Sequence, residues 1–161
     1  MPMRIINKLI LSIFYFSLIY ICCACSSVSE SSFPCRKYAK QFFEQPSDKR
    51  VAEFGKLDIE TQYCIFLYGN QVIHPPAIYL ATEFAKQPSV LPFVTIKLKE
   101  TKDDLTIRDI VYVISELERM KLYAVGRDKD LMALLNNKAN EIKNDSWKKL
   151  TIETLNDLEK R

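Results

Sequence analysis

The sequence predicts an all-α domain. Three glycines in 161 residues supply few of the tight turns that a sheet needs. Beyond residue 33, apolar residues recur at three- and four-residue spacing far more often than they alternate. Ser, Asp, Pro or Gly brackets most of these stretches at positions that start or stop helices.

The elements follow in chain order. Pro34 to Phe43 opens with proline in the first turn, where its missing N–H is no loss. Ser47 precedes a short helix that stops at Phe54-Gly55. Asp58 caps the next, whose apolar face is Ile59, Tyr63, Phe66 and Leu67, and Gly69-Asn70 is expected to end it. Pro75 and Pro76 are expected to open a helix that turns Ala77, Leu80, Ala81, Phe84 and Ala85 inward before the break at Pro88-Ser89.

The segment 90–99 has two readings. Val94, Ile96 and Leu98 alternate with Thr95, Lys97 and Lys99 like an edge strand. Leu91, Val94 and Leu98 after Ser89 read as a helix, and the neighbouring helices favour that reading.

Thr106 to Lys121 carries the strongest local signal. Thr106 and Asp109 have capping-box spacing, with Leu105 and Ile110 at the staple positions. Ile107, Ile110, Val111, Ile114 and Leu117 continue as a wide apolar stripe. After Val125-Gly126, Leu131, Leu134, Leu135, Ala139 and Ile142 mark another helix. The last runs from about Ser146 to Lys160, with Trp147, Leu150, Thr154 and Leu158 expected inward.

Helix starts near 58, 75, 90, 106, 129 and 146, joined by short connections, predict antiparallel helix pairs. In length and rhythm the pairs resemble HEAT/armadillo-like repeats, which implies a short α-solenoid; an irregular helical bundle fits the same periodicity.

The first twenty-five residues report an address. Arg4 and Lys8 form a basic start, Leu9 to Ala24 carries no charge, and a small residue precedes Cys25. That apolar run is shorter than the roughly 20 residues a spanning helix needs. Ala24-Cys25 resembles the end of the bacterial lipobox, with Cys22 where the family usually has leucine. The resemblance to bacterial lipoproteins implies a signal peptide over 1–24 and lipidation of Cys25. A serine after the modified cysteine implies the outer membrane, facing the periplasm. The alternative is a simply cleaved signal and a periplasmic protein. Residues 25–33, which include Ser26 to Ser32 (SSVSESS), suit a flexible tether to a helical domain over 34–161.

The leader holds two of the 23 basic residues and none of the 20 acidic ones, so the rest is nearly neutral. No basic block or aromatic-basic interleaving points to nucleic acid. Three of the five cysteines belong to the leader region, which leaves Cys35 and Cys64. In an exported chain that pair predicts a disulfide; the alternative makes Cys64 a buried small hydrophobe.

The chain holds one histidine and no Gly-rich loop leading into a helix, so no cofactor or metal site is predicted. A Cys64–His74 nucleophilic pair would be the sharpest enzyme constellation, but it competes with the disulfide. Asp103-Asp104 suits a helix start, and Glu116 and Glu118 are expected on a solvated face. Among Tyr63, Tyr68, Tyr79, Tyr112 and Tyr123, the pair Tyr79 and Tyr112 lies off the apolar stripes, making these the candidate partner-binding residues. The predicted function is an exported, membrane-anchored helical module that binds a protein or acts as a scaffold. A periplasmic immunity or inhibitor protein, an envelope hydrolase using paired carboxylates and a purely structural lipoprotein are the alternatives.

Overall fold

A computed structural model describes residues 33–160. The predicted leader, the predicted lipidation site Cys25 and the predicted tether up to residue 32 lie outside the described residues. The described chain forms eight α-helices and one 3-10 turn, with no strand among the described residues. These are α1 (Arg36–Glu44), α2 (Ser47–Phe54), α3 (Ile59–Gln71) and α4 (Tyr79–Ala85), then α5 (Val90–Glu100) and α6 (Asp104–Arg119). The 3-10 turn Val125–Arg127 leads into α7 (Lys129–Glu141) and α8 (Asp145–Glu159). None of the described helices is long and apolar enough to cross a membrane.

Helix α6 organises the fold. Ile107, Ile110, Val111, Val113, Ile114 and Leu117 are all buried on it, and it touches α3, α4, α5, α7 and α8. Successive pairs α3–α4, α5–α6 and α7–α8 are in contact, and α4, α6 and α8 form a row with α6 in the middle. Because α3 also reaches α6, the pairs close into an irregular bundle, the second of the two predicted arrangements.

At the other end, aromatic rings fill the space between α1, α2, α3 and α4. The Phe84 ring stacks on Phe66 at 5.9 Å and meets Phe54 edge-on at 6.4 Å, with Tyr63 and Phe93 completing the cluster. Phe33 stands edge-on to Tyr68 at 5.6 Å.

Cys35 and Cys64 form the predicted disulfide, which ties the start of α1 to the middle of α3. Segment 90–99 is helical, with Val90, Val94 and Leu98 buried. Period-2 alternation lost to the helical face because three apolar side chains at i, i+4 and i+8 could share one core.

Several local expectations are corrected. Gly69 does not stop α3, which continues to Gln71. It is a packing glycine, since a Cβ there would stand 2.6 Å from Phe43 Cζ. Pro75 and Pro76 do not open α4; they lie in the connection that brings the Ala77 N–H to the Gly69 carbonyl at 3.0 Å, and α4 starts at Tyr79. Asp103, and not Thr106, caps α6: its carboxylate accepts the Thr106 N–H at 2.8 Å, so Asp109 falls in the helix body. On α8 the buried residues are Thr151, Leu155 and Leu158, whereas Leu150 is half exposed. Thr151 can go inward because its hydroxyl donates to the Trp147 carbonyl at 2.8 Å.

Candidate functional site

Where the end of α3, the α3–α4 connection, α6 and α8 converge they leave a cavity of about 600 Å³, within the size range of small-molecule and peptide-anchor sites. Asn70 and Gln71 come from α3, His74, Pro76 and Ile78 from the connection. Leu105, Arg108, Asp109, Val111 and Tyr112 come from α6, and Trp147, Leu150, Thr151 and Thr154 from α8.

The polar centre is an ordered pair. Asp109 is buried beside Arg108, whose Nε donates to Oδ1 at 2.9 Å, while Gln71 Nε2 donates to Oδ2 at 2.9 Å. Burial pushes the Asp109 carboxyl up from its ordinary value, and Arg108 and the hydrogen bonds from Gln71, Arg108 and Asn70 oppose that rise. The Arg108 guanidinium lies 4.4 Å from the Trp147 ring centroid, a cation–π contact. Arg108 is thus oriented from two sides, by a carboxylate and by an aromatic face.

Apolar side chains form the lips. Ile78 and Leu150 are each 50 % exposed, on opposite elements. Tyr112 lines the cavity half-buried, and burial is the main cause holding its hydroxyl pKa above the ordinary value. The other candidate, Tyr79, is 40 % exposed and does not line the cavity, so the two tyrosines are not brought together there.

A second cavity of about 670 Å³ lies along α3 beside the disulfide, lined by Tyr63, Leu67, Lys97 and Asp103 among others. Lys97 Nζ sits 5.2 Å from the Phe93 centroid and 3.3 Å from a Glu60 oxygen there. Its walls carry fewer exposed apolar side chains than the first.

The remaining predicted positions are placed as follows. Cys64 is bonded to Cys35 and offers no thiolate to His74, which rules the pair out in this oxidised form. Asp103 is a cap, and Asp104 Oδ2 accepts the backbone N–H groups of Lys143 and Asn144, tying the entry of α8 to α6. The solvated placement of Glu116 is overturned. Its side chain is buried, bonded by Thr82 Oγ1 at 2.5 Å and by Arg119 Nε at 2.8 Å. Glu118 is partly buried and accepts the Gly126 N–H at 3.0 Å. Each acid therefore has a structural partner. No group of histidine, cysteine and acid side chains among the described residues is arranged to hold a metal.

The Arg108–Asp109 pair, Ile78 and the outward Leu150 were missed as site residues from sequence. One signal was present: Asp109 sits beside Ile110 within the apolar stripe of α6, where a carboxylate must find a buried partner. Compared with known protein families, curated proteins and solved structures, the chain shows no match.

Proposed function

We propose that this protein is an exported helical module of the bacterial envelope, anchored by lipid at Cys25 on the periplasmic face of the outer membrane, which binds a protein partner through the α3–α6–α8 groove. The observation that carries the reading is the pair of half-exposed apolar lips, Ile78 and Leu150, over the aromatic walls Tyr112 and Trp147. Apolar side chains held outward around a concavity leave water-exposed area that a partner can cover, and aromatic residues anchor such contacts. The basic start at Arg4 and Lys8, the charge-free run from Leu9 to Ala24 before Cys25 and the polar stretch after it support the address.

The test is capture of the full chain from crosslinked envelopes, beside a Tyr112→Ala/Leu150→Ser variant whose melting matches the parent. One stoichiometric partner, lost in the variant, is expected. Its retention by the variant, or no partner with either, overturns the reading. Intact mass checks the anchor: a mature chain starting at an acylated Cys25 is expected, and an unmodified start at Ser26 overturns it.

A further inference from the structure

We infer that the floor of the α3–α6–α8 groove is a carboxylate subsite, and that its occupant is the apolar C-terminal residue of a polypeptide. This rests on the groove being the recognition face proposed above and names the chemistry it selects.

The argument starts from the unused edge of Arg108. A guanidinium presents five donors on two usable edges. Asp109 takes the edge formed by Nε and Nη2, both directed at Oδ1. Nη1 donates to no protein group among the described residues, and Arg108 lines the cavity. Asp109 on one side and the Trp147 ring on the other prevent the guanidinium from swinging away. Its free edge is therefore a preoriented donor pair inside a largely apolar space, where a charge-assisted hydrogen bond is strong. Among the residues lining the cavity, Asp109 is the only acid.

The walls define the rest of the ligand. The cavity of about 600 Å³ is lined by Val111, Tyr112 and Leu150 as well as by Arg108. That is room for an apolar side chain and the residue preceding it. Ile78 and Leu150 line the cavity and are half exposed, so they offer apolar surface to a chain entering from a partner.

Trp147 is the sole tryptophan and stacks on Arg108, so its emission reads occupancy directly. The mature protein is titrated with an N-acetylated tripeptide ending in leucine, as the free acid and as the amide. The free acid is expected to shift the emission saturably, with the amide about tenfold weaker. Arg108→Gln should remove that preference. Because this variant leaves Asp109 without its arginine, Leu150→Glu is the companion: it adds negative charge at an exposed lip and should weaken the acid more than the amide. Equal responses to acid and amide, no response, or a preference unchanged in Arg108→Gln and Leu150→Glu overturns the inference. A free hydrophobic monocarboxylate that binds as tightly as the peptide acid overturns the polypeptide source. Partner capture that survives competition by the peptide acid sinks this inference alone. Loss of capture from both parent and variant sinks the module reading instead.

Discussion

Gly69 and Phe43 meet with no space between them for a methyl group. A Cβ on Gly69 would stand 2.6 Å from Phe43 Cζ and 3.0 Å from Ala77 Cβ. The glycine lies inside α3, where its backbone freedom is a cost, so the close approach of α1 and the α3–α4 connection is what requires it.

The three glycines should therefore respond differently to alanine. Gly69→Ala gains helix propensity but overpacks the α1–α3 contact, for a net loss of about 1–3 kcal/mol. Gly126→Ala should cost more, because its Cβ would run into the backbone carbonyl of Leu158, which has no rotamer to yield. At Gly55 the nearest atom is 3.8 Å away and φ is −64°, so alanine should be neutral or stabilising. Urea midpoints of the three variants check the order.

Capping gives a second comparison. Asp58 and Asp103 each accept a backbone N–H at the start of α3 and α6, at 2.9 and 2.8 Å. Ser89 holds the same position before α5 without a side-chain bond. Asp103→Ala should cost about 1 kcal/mol and Ser89→Ala almost nothing. Equal losses in thermal melts would contradict this account.

The disulfide joins residues 29 apart in sequence. In the chain-entropy treatment such a loop contributes about 3–4 kcal/mol. Reduction, or paired Cys35→Ser/Cys64→Ser substitution, should lower the urea midpoint accordingly. Thiol labelling of denatured, unreduced protein should find neither residue reactive.

Two acids on α6 should give stability opposite dependences on pH. Hydrogen bonding by Arg119 holds the Glu116 carboxyl below its ordinary value of 4.5, so its contribution is full above that value. It fades as pH falls through the lowered one. Burial raises the Asp109 carboxyl above its ordinary value of 3.8, so its contribution is full below that value and fades as pH rises through the raised one. The gap between the parent and Glu116→Gln should narrow on acidification. The parent should fall relative to Asp109→Asn as pH rises. Midpoints at a series of pH values read both slopes.

The sequence by itself determined the all-helical class and most of the helix starts, and it singled out Cys35 and Cys64 as the candidate pair. Apolar spacing and caps such as Asp58 act within one or two turns, so the helix starts at Ile59 and Lys129 could be located from their own residues, whereas the end of α3 at Gln71 could not. Two cysteines beyond residue 33 made Cys35–Cys64 the expected pair, and the structure decided it against a free, buried Cys64. Only the tertiary structure decided what faces inward among the polar positions. Asp109 is buried because Gln71, 38 residues away, donates to it, and Glu116 because Thr82, 34 residues away, does the same. Leu150 was left outward because Thr151 could satisfy its hydroxyl on its own helix and take the inner position. The physical reason is range. Periodicity and capping are local, whereas the cost of burying a polar group is settled by partners that only the folded chain brings together.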